Sequence, residues 1–142
     1  MRIVGLDIGE RRIGVAVSDA TGTLARPLRV LGAAGLDIDA LDLVVAEISR
    51  LAEEEDGVAA IVVGLPRRLD GTATEMTPRV ERFARSLQDR MSLPVTLQDE
   101  RLSSREAESR LAVRDKDWRS RKARLDAAAA AVILQDYLDS RA

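Results

Sequence analysis

The 142-residue chain has no cysteine and no histidine. Without cysteine there can be no disulfide, no thiolate nucleophile and no thiolate-bound metal, although the compartment stays open. Without histidine, the usual serine triad and imidazole-ligated zinc or iron are excluded as well. Catalysis is left to carboxylate, Lys, Tyr, Ser or Thr, with hard cations that prefer oxygen ligands. Aromatics are almost as scarce, at one Trp, one Tyr and one Phe. The core must therefore be aliphatic, and aromatic platforms for base stacking are nearly unavailable. No apolar run approaches the roughly 18 residues of a membrane span. The short run after Met1-Arg2 meets Asp7 too early for a secretory signal. A cytoplasmic protein with no membrane partner is expected.

What remains is the balance of a soluble globular chain, 46% hydrophobic and 32% charged. Its length suits a single domain spanning 1–142. The net charge of −2 gives no overall basic signature, so affinity for nucleic acid would have to come from local clusters.

The apolar run from Arg2 to Ile8 reads as a buried strand, and Ile13 to Asp19 as a second after the Glu10-Arg11-Arg12 turn. Leu24 to Leu31 reads as a third, with Pro27 placing it at an edge or bulge. Apolar residues then recur at three and four from Ile38 to Ala52, predicting an amphipathic helix. Val58 to Gly64 reads as a strand covered on both faces. Thr77 and Pro78 suggest the cap and first turn of another helix. Val95 to Gln98 reads as a fifth strand, Ser103 with Glu106 as a capping box, and Leu125 to Leu138 as an Ala-rich final helix. The order βββ-α-β-α-β-α-α predicts an α/β domain in which a five-stranded mixed sheet is flanked by helices.

Parallel strands carry their carboxyl ends to one edge, where ligand sites of open α/β sheets lie. Asp7 ends the first strand, Gly64-Leu65-Pro66 the fourth and Asp99-Glu100 the fifth, while Asp126 could be laid across that edge. A carboxylate cluster there could hold one or two Mg²⁺ or Mn²⁺ ions, which activate water and neutralise a leaving oxygen in phosphodiester hydrolysis. Taken singly, each acid has an ordinary reading. Asp19 suits a hairpin turn, Asp126 a helix first turn, and Glu100 a surface pair with Arg101 or Arg67.

Six basic residues, Arg114, Lys116, Arg119, Arg121, Lys122 and Arg124, lie within eleven positions before Asp126. Against Asp115 and Asp117 that segment is +4. Read as a charged loop beside the acids, it could grip phosphates together with Arg11, Arg12, Arg67 and Arg68. Trp118 within it could stack on a base or anchor in the core.

The ordered set Leu6-Asp7-Ile8-Gly9, Arg12 to Asp19, Val63-Gly64-Leu65-Pro66, Asp70-Gly71-Thr72, Asp99 to Ser103 and Asp126 to Leu138 resembles the YqgF family. That family is also called RuvX, the Holliday junction resolvase-like or pre-16S rRNA nucleases. The resemblance implies a ribonuclease-H-like fold and a metal-dependent nuclease that trims the 5′ end of pre-16S rRNA in ribosome biogenesis. It implies Asp7, Glu100 and Asp126 as the catalytic and metal-binding acids, with Asp99 the substitute for its neighbour. Expected partners are structured pre-rRNA or branched DNA, with ribosomal precursor particles, for a monomer or homodimer. Two alternatives within this reading are a resolvase-like DNA nuclease and a nucleic-acid-binding maturation factor without turnover. A phosphotransferase of the actin and sugar-kinase type is a third; it needs two lobes to enclose ATP, and this length supplies one.

Overall fold

The computed structural model describes residues 1–33, 35–100 and 118–141, with residues 118–126 described by backbone alone. Its strands are β1 (Arg2–Ile8), β2 (Arg12–Ser18), β3 (Ala25–Gly32), β4 (Val58–Leu65) and β5 (Val95–Asp99). Its helices are α1 (Ile38–Ala52), α2 (Met76–Met91) and α3 (Trp118–Arg141). The sheet order is β3-β2-β1-β4-β5. β1 pairs antiparallel with β2, and β2 with β3, while β1–β4 and β4–β5 are parallel. The meander comes from short turns, and the parallel pairs from helical crossovers, as the change of period along the sequence implies.

Two-residue alternation sorts the strands between two layers. Val4, Leu6, Ile8, Ile61, Val63 and Leu65 face Val44 and Ile48 of α1 and Val80, Phe83 and Leu87 of α2. Ile3, Ala16 and Val62 face Ala130, Ile133, Leu134 and Leu138 of α3. Burying each large aliphatic contributes about 1.5–3 kcal/mol. The Ala-rich helix can lie this close because of Gly5. A Cβ there would stand 2.7 Å from Leu134 Cβ and 3.2 Å from the Ala130 carbonyl oxygen.

β3 is an edge strand, and its register with β2 shifts beside Pro27. Arg29 opposes Val15 and Pro27 opposes Ala16, leaving Leu28 as the extra residue of a bulge. Asp19 closes the β2–β3 turn by accepting from the Thr23 and Leu24 amides at 2.8 and 3.2 Å. Gln135 of α3 ties down the start of β3, accepting from the Ala25 amide at 2.9 Å and donating to Thr23 O at 3.0 Å. Among the described residues no helix is long and apolar enough to cross a membrane.

Two expectations need correction. Thr77 does not cap α2; the helix starts earlier, and its N-cap Glu75 makes no side-chain capping bond. The Thr77 hydroxyl is instead buried in the first turn, accepting from the Thr74 amide at 2.8 Å and donating to Pro66 O. A loop carbonyl that needs a donor has taken the group that would otherwise cap. The final helix, moreover, begins at Trp118 and not near Leu125, so Arg119, Arg121 and Lys122 stand on helical backbone and not in a loop. Arg and Lys are good helix formers, but their uniform polarity hides any periodic stripe. The helix expected from Ser103, and Lys116, lie outside the described residues.

Candidate metal centre

Asp7 is the last but one residue of β1 and stands opposite Gly14 on β2. On the other side Leu6 is level with Val63, which puts Asp7 level with Gly64. Glycine stands beside the acid on both neighbouring strands, and at Gly64 the missing Cβ lets Ile133 of α3 and the Glu100 carboxylate approach the sheet closely. Glu100 reaches Gly64 from the end of β5. Leu65 pairs with Asp99, and the Glu100 amide donates to Leu65 O at 3.2 Å, carrying the ladder one residue further. The Glu100 carboxylate lies over Gly64, where a Cβ would be 3.0 Å from Glu100 Oε2. Asp99 is exposed, as strand alternation requires once its neighbour turns inward.

Glu100 and Asp7 are joined by a side-chain hydrogen bond, while Glu100 Oε2 is buried without a partner. Burial, followed by the Asp7 charge, the hydrogen bond that protonated Glu100 donates to Asp7 and the Asp99 charge, pushes the Glu100 carboxyl up from 4.5 to about 9. Two carboxyl groups in contact cannot both ionise cheaply, so by themselves they share a proton. A divalent cation would replace that proton, pair both charges and give the orphaned oxygen a partner. The donor set fits such an ion: it is all oxygen, and Mg²⁺ needs only one or two carboxylates because it keeps several waters. Among the described residues, no group of three or more acidic side chains stands ready to hold a metal.

The position of Asp126 follows from the direction of α3. Tyr137 and Leu138 line a cleft with Met1 and Ile3, and Ala130 and Leu134 meet Gly5. Helix α3 therefore runs antiparallel to β1, and its earlier turns head toward the Asp7 end. Asp126 is one turn before Ala130 along this backbone; its side chain lies outside the described residues.

Because β1 and β4 are parallel, the turns after them leave the same edge. This brings Arg11, Arg12, Arg67 and Arg68 to the end of the sheet where Asp7 meets Glu100. Arg11 and Arg68 are exposed, while Arg12 and Arg67 are half-buried. Arg67 donates inward to Gly71 O at 3.2 Å. Sequence reasoning missed Arg79, which pairs with Glu10 at 2.8 Å across this edge. It also missed Arg82, which shares with Arg79 a cleft of about 250 Å³ between α1 and α2. Their place in a helical pattern gives no hint of that neighbourhood. The side chains of Trp118, Arg119, Arg121 and Lys122 lie outside the described residues.

Residues 1–140 match the model of a family described as RuvX, Holliday junction resolvase. A Geobacillus kaustophilus protein, provisionally named a pre-16S rRNA nuclease, is 42% identical over 141 residues, covering 99% of each chain. One from Chloroflexus aurantiacus with the same name is 43% identical over 139 residues, covering 98% of this chain and 87% of the relative. Among solved structures, the fowlpox virus Holliday junction resolvase matches at a TM-score of 0.59 and 12% identity, over 100% of both chains. T. thermophilus RuvC, in complex with Holliday junction substrate, matches at 0.54 and 16%, covering 99% of this chain and 95% of that one. Identities this low speak to the fold, which is ribonuclease-H-like. The family match, in contrast, spans nearly every residue described above, and the chain belongs to the RuvX family.

Proposed function

We propose that the chain is a single-domain nuclease that hydrolyses phosphodiester bonds in structured nucleic acid, with the 5′ end of pre-16S rRNA as its natural target. Asp7 and Glu100, completed by Asp126, would hold Mg²⁺ or Mn²⁺. The observation that carries this reading is the carboxyl pair itself, a buried, unpartnered Glu100 oxygen beside half-buried Asp7. Two carboxyl groups held in contact away from water cost stability, and such an arrangement is a mark of a working site.

When bound, the metal would supply an activated water and neutralise charge on the phosphate. The chain's own residues do the rest. Gly64 leaves room for the Glu100 carboxylate, and the β5 ladder fixes that carboxylate's height. Arg11 and Arg68, exposed at the same edge, would hold backbone phosphates on either side of the scissile bond, with Arg12, Arg67, Lys116, Arg119, Arg121 and Lys122 adding to the grip.

The names of the relatives from Geobacillus and Chloroflexus favour RNA. A second reading, branched DNA, is favoured by the family's description and the RuvC complex. Cleavage mapping on a pre-16S 5′ fragment and a four-way DNA junction, in parallel with Mg²⁺, Mn²⁺ or EDTA, separates them. The expected result is metal-dependent cutting of the RNA, lost by on the order of 10³-fold in Asp7→Asn. Equal cutting by that variant sinks the site assignment; cutting of the junction alone selects the second reading. Binding to either substrate without cleavage would leave a maturation factor.

A further inference from the structure

Loop 66–74 leaves the sheet two residues after Gly64, over which the Glu100 carboxylate lies. It is far better ordered than a connection needs to be. The Arg68 amide donates to Thr72 O at 2.9 Å, and the Gly71 amide to Arg68 O at 2.8 Å. Asp70 Oδ1 accepts from both the amide and the hydroxyl of Thr72, at 2.9 and 2.7 Å. Arg67 bridges to Ala73 as an isolated antiparallel pair, and its guanidinium caps Gly71 O. Gly71 takes the left-handed conformation that this tight turn demands, at a φ of 89°. Thr77 of α2 then holds the base of the loop through Pro66 O and the Thr74 amide.

This stiff frame presents a leucine to solvent. Leu69 is 62% exposed, immediately after Arg67 and Arg68. A lone exposed leucine on a loose surface needs no explanation. Here its own loop gives it no cover, although nine residues are tied together around it. It is five positions after Gly64, so its Cα lies within about 17 Å of the Gly64 Cα. Proteins that open stacked bases insert apolar side chains flanked by cations, and leucine is one of those used. Among the described aromatic side chains, Phe83 is buried on α2 and Tyr137 stands at the other end of the sheet. Leu69 is an exposed aliphatic at this edge, placed to act as a wedge.

We propose that loop 66–74 is a preformed wedge, with Leu69 entering between bases where a duplex ends or branches and Arg68 holding the adjoining phosphate. The wedge would present a splayed strand to the Asp7–Glu100 pair. This inference rests on the nucleic-acid reading above and adds how the substrate is selected: by an interruption in stacking. Duplex ends of RNA and branch points of DNA share that feature.

The test uses the full chain with EDTA, so that binding is read without cleavage. Two probes carry 2-aminopurine beside the interruption, one an RNA stem with a single-stranded tail, the other a four-way DNA junction. Binding by the parent should raise the fluorescence of one or both probes, as the base leaves its stack. Leu69→Ser should bind and lose the rise, whereas Leu69→Met, which keeps an apolar tip, should retain it. A rise in the serine variant equal to the parent's overturns the wedge, as does a methionine variant that fails like serine. Parent binding without any rise overturns the wedge while leaving the nuclease reading intact. Absence of binding to both probes overturns the two together.

Discussion

Replacing Glu100 by Gln should make the metal-free protein more stable while removing its response to metal. The Glu100 carboxyl moves from 4.5 to about 9 on folding, so between those values the folded protein holds a proton that the unfolded chain releases. A raised carboxyl of this kind costs nothing below pH 4.5. The cost grows as pH rises and levels off near pH 9. At about 1.4 kcal/mol per pH unit above 4.5, it amounts to about 3 kcal/mol at pH 7. Glutamine imitates the protonated acid, keeps a donor for Asp7 and carries no such cost. For a chain of this length that corresponds to a rise in Tm of about 10 °C. Thermal melts in EDTA at pH 5, 7 and 8.5 should show a gap between variant and parent that is small at pH 5 and widens with pH. Adding Mn²⁺ at pH 7 should then raise the Tm of the parent and leave the variant unmoved. A gap independent of pH, or a variant less stable than the parent throughout, would refute the reasoning.

Other outcomes follow from the packing and the charges. Gly5→Val would drive carbon into Leu134 Cβ and the Ala130 carbonyl oxygen, 2.7 and 3.2 Å from the first added atom. Overpacking against backbone should cost about 1–3 kcal/mol, and an unchanged urea midpoint would show that α3 does not press on β1 as described. Gly64→Ala would set a Cβ 2.5 Å from Ile133 Cδ1 and 3.0 Å from Glu100 Oε2, so both side chains should shift and Mn²⁺ affinity fall; equal affinity by titration calorimetry would contradict the site's floor. Changing Arg121 and Lys122 together to Ala should weaken RNA binding and lower the slope of log K against log salt by about 1.4–1.8. An unchanged slope would return those residues to a solvated helix face.

Local chemistry made most of the fold readable. The strand ends near Ile8 and Leu65 follow from apolar runs meeting Gly and charge, and Pro27 marks an edge because it can give no ladder hydrogen bond. Where the signal was tertiary, it failed. Thr77 has the residue type of a cap, yet a carbonyl eleven positions earlier claims its hydroxyl. The start of α3 at Trp118 is hidden from periodicity because Arg119, Arg121, Lys122 and Arg124 interrupt any apolar stripe in its first turns. In the candidate site, Asp7 and the Asp99-Glu100 pair were legible as strand-end acids, but which of the latter turns inward was not. That depends on Gly64, a residue on another strand whose missing Cβ makes the room. Arg79 reached the edge unforeseen for the same reason, since its ion pair with Glu10 spans 69 positions of sequence.

Anomalous scattering from crystals soaked in Mn²⁺ would show directly whether Asp7 and Glu100 hold a divalent metal. A peak is expected within ligand distance of one Asp7 oxygen and of Glu100 Oε2, near Gly64 and absent in Glu100→Gln. A fully soaked crystal with no peak there, or with its peak on other residues, would contradict it.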